Sequence, residues 1–517
     1  MIARERLKTP SEHGAVLIEP APGEIVAALA AKRRDALDQL ALLDTNAGEL
    51  HRELLAQLNI HAPVVMTGHQ AEFFHAGVFA KTIAADALAA AVRGTAVFLT
   101  VDSDVPKARH VPVPRVVDGR VRRELLDIPG CDPSVPLEAQ PALPVERWCE
   151  FFRQVRHTYA HAASSLLPVY TGGWLACTAQ RLDFCDAVVR GHAAVEHALG
   201  LGGSRDLRVS QLSQTRALRC FAAHLLLNAE GFAECYNAAQ QAYRRRNRVR
   251  NDQRPVPPLM VEAERTESPL WVWRDGQPRR RLFVRRVADE IVFLADEEPI
   301  GREPLSRLRC AECQGQPWGV ERDGWRVRPR ALSLSSFARL LLADVFIHGV
   351  GGAKYDEMTE DFVRAFFGVE PAAMCCVTAT LHLPLPRRGG DLSRAAARHA
   401  LHDLPYNPQR HVSSLPAEML ARRAALFDES RRLRAEAPRE RARRRRVYQE
   451  IREVNAALRA AAGGEYAAVE ERLRSAERDT RDDALAQDRE YFFALHDSAA
   501  MGALAAGIQG AFGAGQG

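Results

Sequence analysis

Lysine is nearly absent. Of 70 basic residues only five are lysines: Lys8, Lys32, Lys81, Lys107 and Lys354. A general bias has turned interchangeable cations into arginine, so the survivors mark places where a compact amine able to lose its proton differs from a planar guanidinium. Excess charge is scarce as well. With 65 acidic residues the net charge is only +5, too little for the footprint of a dedicated nucleic-acid binder, and no nucleic-acid partner is expected. No window approaches the roughly 18 uninterrupted apolar residues of a membrane span. The opening MIARERLKTPSEHG lacks the apolar centre of a signal peptide, so a cytoplasmic location with no membrane partner is expected. GxSxG, HExxH and paired CxxC signatures are missing, which removes the commonest hydrolase and metalloprotease readings. Cys310 and Cys313 form a lone CxxC, and the adjacent Cys375 and Cys376 chelate poorly, so no metal is expected. The ten scattered cysteines, Cys177 among them, suit reduced thiols better than a disulfide framework.

What is present is an ordinary globular mixture in a chain long enough for several domains. Residues 24–59 carry apolar positions at helical spacing and read as an N-terminal helical segment, 1–59. After Pro63, the run Val64 to Met66 stops at Thr67 and Gly68 and reads as a buried strand. The alanine-rich stretch Ala76 to Val92 reads as a helix, and Thr95 to Val101 as a second buried strand. Strand, helix, strand is a βαβ unit and predicts a parallel sheet whose strand carboxyl ends face the ligand. The core is expected over 60–414, with an α/β insertion at about 111–330. Within it, 111–144 reads as irregular and proline-rich, 148–201 as mostly helical, and 255–296 as strands turning at Asp275 and Gly276. The segments 208–214 and 234–251 are expected to flank a helix. Ser333 to Phe346 reads as a helix, His348 to Lys354 as a loop, Tyr355 to Phe367 as another helix and Val377 to Leu383 as a last strand. Over 415–500 the series Val447, Ile451, Val454, Leu458 and then Tyr466, Val469, Leu473 predicts an antiparallel helical hairpin turning at Gly463 and Gly464. Tyr448, Tyr491, Phe492 and Phe493 leave apolar surface for a dimer partner, the arginine run 443–446 reads as a solvated helix face, and 501–517 as a flexible tail.

Three constellations can carry chemistry. In TGHQAEFFHAGVFAK, Thr67 and Gly68 allow close backbone approach, while His69, Gln70, Glu72 and His75 crowd titratable groups in front of a helix amino terminus, which attracts anions. In VDSDVPKARH, Asp102 and Asp104 end the second strand on one face and can hold an amine, a ribose or a magnesium ion. In HGVGGAKYDE, Gly349, Gly351 and Gly352 press backbone against something. Lys354, at the start of the next helix with Tyr355 beside it, opposes the helix dipole unless an anion balances it. The candidate catalytic residues are therefore His69, His75, Asp102, Asp104 and Lys354. Thr67, Gly68, Gln70, Gly349, Gly351, Gly352 and Tyr355 are candidates for binding a small-molecule anion.

Together these pieces resemble the bacillithiol synthase family. Thr67, Gly68 and Gln70 fall on its TGQQ-type loop, Asp102 and Asp104 on its acidic strand end, and Phe346, Ile347, Gly349, Gly351 and Tyr355 on its YIGGPGEIAY-type loop. The resemblance implies a Rossmann-like core with an insertion and a C-terminal antiparallel coiled coil that makes a homodimer. It also implies a ligase-like reaction joining cysteine to glucosaminyl malate, and an adenine nucleotide site near the coiled coil. The chain departs from the pattern at His69, Ala71 and Glu72, places Lys81 two positions before the family's lysine, and has Gly352 and Lys354 where the family has glutamate and alanine. These changes point to a different acid or amine as substrate. The rival expectation is a nucleotide-binding, coiled-coil interaction protein without catalysis.

Overall fold

The computed structural model describes residues 7–30, 34–175, 181–251, 256–389 and 393–513, so Lys32 and Cys177 lie outside the described residues. The chain is an α/β protein that divides into two compact units, one of 1–113, 124–383 and 489–517, the other of 114–123 and 384–488.

The first unit is built on a six-stranded sheet of β1 (Val16–Glu19), β2 (Val64–Gln70), β3 (Thr95–Val101), β4 (Arg205–Arg208), β5 (Val345–His348) and β6 (Ala373–Ala379). Its order is β1-β6-β5-β2-β3-β4, with β1 antiparallel at the edge and the rest parallel. The apolar runs of β2 and β3 are buried on both faces, as a parallel sheet requires. Helix α1 (Ala76–Val92) crosses between them and buries Phe79, Ile83 and Leu88 among its alanines. From β2 the chain proceeds one way to β3, and from β5 the other way to β6, so connections diverge between the carboxyl ends of β2 and β5. That divergence is where an open α/β sheet leaves a crevice for ligands. Helix α2 (Val350–Phe367) follows β5 directly.

A five-stranded antiparallel sheet of Thr266–Arg274, Arg280–Val287, Glu290–Ala295, Glu298–Pro304 and Trp325–Pro329 makes up the insertion's β part. Its inner face packs Val272, Leu282, Phe293 and Trp318 into a core of its own.

Several expectations need correction. Residues 24–59 are not one helical stretch. Leu43 takes a left-handed φ of 63° in a small turn between Ala41–Leu42 and Thr45–Asn46, and Asn46 then caps a new helix, Ala47–Leu58. The region 111–144 is not merely irregular, because His110–Val117 and Arg120–Asp127 form a hairpin through Asp118-Gly119, both at positive φ. The segments 208–214 and 234–251 do flank a helix, Arg216–Leu227, but 234–251 lies mostly within a second one, Ala229–Asn247. The helix predicted to reach Phe346 ends at Leu342, and β5 intervenes before α2. The glycine-rich text is therefore a strand-to-helix junction. The tail is not flexible through 513: Ser498–Gly513 is a helix that buries Met501, Leu504, Ile508 and Phe512 and packs on α1. Tyr491, Phe492 and Phe493 are also buried in the first unit, where Phe493 stacks on Phe79 at 4.4 Å and Phe492 meets Phe73 edge-on. They leave no surface for a partner.

In the second unit, α3 (Ala417–Glu436) and α4 (Arg441–Ala486) are joined by four residues, and Leu426 and Leu433 pack on Val447, Ile451, Val454 and Leu458. The reversal thus lies at 437–440, not at Gly463, which only kinks α4 with φ 40° and ψ −109°. Beyond the kink Val469 and Leu473 pack with Leu404, which caps the preceding helix Arg394–Asp403, instead of on the first arm.

Candidate functional site

At the crevice predicted by the strand order lies a cavity of about 720 Å³, wholly within the first unit. Gly68, His69, Gln70 and His75, then Ser103 and Asp104, then His348 to Gly352 all line it, so the three constellations meet although the sequence separates them by nearly 300 residues. Tyr355 borders it at 47% exposure.

Gly68 is needed for packing, since a Cβ there would sit 2.7 Å from the Leu99 carbonyl oxygen. Its own carbonyl accepts a hydrogen bond of 2.7 Å from Lys81 Nζ on α1. Lys81 is only 4% exposed, and among the described residues no carboxylate lies within ion-pair distance of it. Burial, helped by the Lys107 charge, lowers its pKa to about 7. His75 caps α1, its Nδ1 accepting from the Gly77 amide at 3.0 Å, and burial with the neighbouring Arg489 charge lowers it to about 3. His69 is also held neutral, by burial first and then by Lys81 and Lys107.

Gln70 ties the first two constellations together. Its Nε2 donates to Asp104 at 2.9 Å and its Oε1 accepts from Lys107 at 2.9 Å. Asp104 pairs with Arg279 at 2.8 Å. Arg279 and Arg330 stack on the Trp271 ring, their guanidinium carbons 4.8 and 4.1 Å from its centre. Arg330 is only 10% exposed and bonds Glu267 through Nη1, while its buried Nη2 has no hydrogen-bond partner among the described residues. The insertion sheet thus contributes a wall that motif reading missed. No short motif marks it, because Trp271, Arg279 and Arg330 are brought together by pairing of separate strands.

On the other wall the amides opening α2 have no side-chain cap at Gly349. The His348 ring lies over Gly352, where a Cβ would be 2.7 Å from Nδ1. Its Nε2 is 3.3 Å from the buried Asp356 carboxylate, off the line of a hydrogen bond. Burial pushes the Asp356 pKa up, yet the Arg339 and His348 charges outweigh it and hold the carboxyl well below the usual range.

Three of the candidates fall outside the cavity lining. Thr67 is buried and pins β2 to β5 by donating to the Ile347 carbonyl at 2.9 Å. Asp102 is buried with Ser210, accepting from its amide at 3.0 Å and from its hydroxyl, so it anchors the helix Val209–Leu212 instead of facing a ligand. Lys354 is exposed and is the fifth residue of α2, beyond the first turn where the dipole argument applies.

Five cations line the cavity (Lys81, Lys107, Arg279, Arg330 and Arg489) against two carboxylates, Asp104 and Glu490. Among the described residues no group of three histidine, cysteine or acidic side chains is placed to hold a metal. Likewise no helix is long and apolar enough to cross a membrane. Chemically the arrangement can neutralise an anion, hold an amine at Asp104 and exchange a proton at Lys81. Comparison of the chain with protein-family models and with curated proteins gives no match.

Proposed function

We propose that the chain is an enzyme that joins an amine or amino acid to a small acceptor bearing a carboxylate or phosphate, a bacillithiol-synthase-like reaction on a Rossmann-like core. The observation that carries this is Lys81, a buried amine without a carboxylate partner among the described residues, its proton loosely held, in a cavity where cations outnumber acids. A lysine with a purely structural role would pair with an acid, since a lone buried charge is costly. An anionic substrate supplies the missing countercharge. An amine must shed a proton before it attacks, and in this reading neutral Lys81 takes it, the ammonium so formed then balancing the anion. Asp104 orients the ammonium form beforehand. Lys81 thereby assumes the role first expected of Lys354.

An adenine nucleotide, which the resemblance implies near the coiled coil, would find phosphate donors in this cavity instead, in the free Nη2 of Arg330 and the uncapped amides after Gly349. When bound it would activate a carboxylate for displacement. Homodimerisation through α3 and α4 as a coiled coil is part of the same proposal. Sedimentation at micromolar concentration should then give twice the chain mass, and a monomer removes that element.

The test of the reaction is a thermal-shift screen of carboxylates, sugar phosphates and nucleotides on wild type and Lys81→Met. It is followed by mass spectrometry of a mixture with cysteine, glucosaminyl malate and ATP. Stabilisation by small acids that Lys81→Met abolishes, together with a condensed product, supports the reading. Stabilisation by nucleotide alone with no product favours the non-catalytic interaction protein.

A further inference from the structure

The arginine run 443–446 changes meaning once the reversal of the helical hairpin is located. Because α3 turns into α4 at 437–440, the arginines that end α3 lie at the same tip as those that begin α4. Between 428 and 446 there are nine arginines and four acids, an excess equal to the net charge of the whole chain. Three of those acids are already committed: Asp428 to Arg431, and Glu429 and Glu440 to Arg443 at 3.0 and 3.7 Å. Arg432, Arg434, Arg439, Arg441, Arg445 and Arg446 are all exposed, and none makes an ion pair among the described residues. Arg441 to Arg444 also occupy the first turn of α4, which holds no acid, so they stand against the helix dipole and repel one another. A solvated, self-compensated face would pair these charges along the helix, and this one does not.

We propose that the tip of the α3–α4 hairpin binds the phosphate backbone of single-stranded nucleic acid. Polyanion complementarity follows from the six unpaired guanidinium groups, which present fork-shaped donors to phosphate oxygens. The link residues Ala437 to Glu440 include no large apolar side chain to enter a bilayer, which disfavours a lipid surface. Tyr448, one turn beyond Arg444, exposes its ring on the same arm and offers an unpaired base a stacking face, which disfavours a generic acidic protein. The small net charge that argued against nucleic acid is an average over the whole chain and conceals this concentration.

The experiment uses the full chain and a fluorescein-labelled single-stranded oligonucleotide of mixed sequence, read by anisotropy across a salt series. Contact with six phosphates predicts a slope of log affinity against log salt near −4, at about −0.7 for each phosphate. Arg445→Glu with Arg446→Glu should weaken binding at least about tenfold at low salt, since each reversal replaces an attraction with a repulsion. Arg472→Glu with Arg481→Glu, an equal charge change at exposed positions further along α4, should alter it less than about twofold. All these sites are exposed, and unchanged thermal unfolding confirms that the variants fold. Equal weakening by the two pairs, absence of salt-dependent binding in wild type, or binding to phosphatidylserine vesicles but not to the oligonucleotide would each overturn the proposal.

Discussion

Lys81 shows how much a single position can say and how little its neighbours in sequence reveal about it. Scarcity of lysine was legible and drew attention to Lys81, Lys107 and Lys354 together. Which of the three is buried was not legible, because burial depends on how α1 and α2 seat against β2 and β5. Its lowered pKa has a signed consequence. Between about pH 7 and the ordinary lysine value of 10.5 the unfolded chain holds a proton that folded Lys81 lacks. This group's contribution to stability therefore rises with pH through that window, and Lys81→Met should remove that part of the slope in tryptophan-monitored urea titrations. An anion reverses the preference, because it favours the ammonium. Binding of the best-stabilising acid near pH 8 should take up a proton, and affinity should fall by at most about tenfold for each further pH unit. Calorimetry in buffers of different ionisation heat reads the uptake directly, and identical heats in all buffers would exclude Lys81 as the anion's partner. Lys354→Ala, exposed and outside the cavity, should leave both measurements unchanged.

At the scale of elements, the helix and second strand of the βαβ unit were readable to their ends, whereas β2 runs on through Gln70 instead of stopping at Thr67 and Gly68. Ala76 to Val92 and Thr95 to Val101 are the observed helix and strand, since alanine-rich and β-branched runs bounded by glycine leave little ambiguity. The β5–α2 junction was not readable, because β5 has only four residues and just Ala343 and the single polar Asp344 separate it from an apolar helix. The hairpin reversal was misread for a related reason: Gly463-Gly464 is a stronger turn signal than Ala437-Pro438, yet tertiary packing keeps α4 running through it. The start of α1 offers a sharp test of close packing. A Cβ at Gly77 would lie 2.5 Å from the Ala379 carbonyl oxygen and would strike the Arg489 guanidinium, which donates to Thr378 at 3.0 Å. Backbone of β6 cannot yield cheaply, so Gly77→Ala should destabilise the first unit by about 1–3 kcal/mol. All six tryptophans belong to that unit, so the shift of the fluorescence-detected urea midpoint reports it without interference from the second. A midpoint within error of wild type would mean that Arg489 and the helix start move apart freely.

For the whole molecule, charge and chemistry are divided between the two units. The segment 384–488 holds 22 arginines and 17 acids, which accounts for the entire +5 of the chain and leaves the remainder with 48 of each sign. Every residue lining the cavity belongs to the first unit. The second unit owns the hairpin tip and the α3–α4 core, and it closes on itself through Arg120 with Asp479 and Asp482 at 3.1 and 2.9 Å. A chain in which a flexible glycine-serine linker replaces Pro384–Asp488, with Arg120→Ser and Arg123→Ser to spare unpaired cations, should therefore keep the tryptophan-reported unfolding of the first unit. It should also keep the acid-induced thermal shift that depends on Lys81, while losing oligonucleotide binding and self-association. With its net charge near zero, the shortened chain should precipitate more readily at neutral pH and low salt, which the working buffer must offset. If the acid-induced shift vanished although the tryptophan transition stayed intact, the cavity would depend on the second unit for its ligand. Placing the complete site within the first unit would then be wrong.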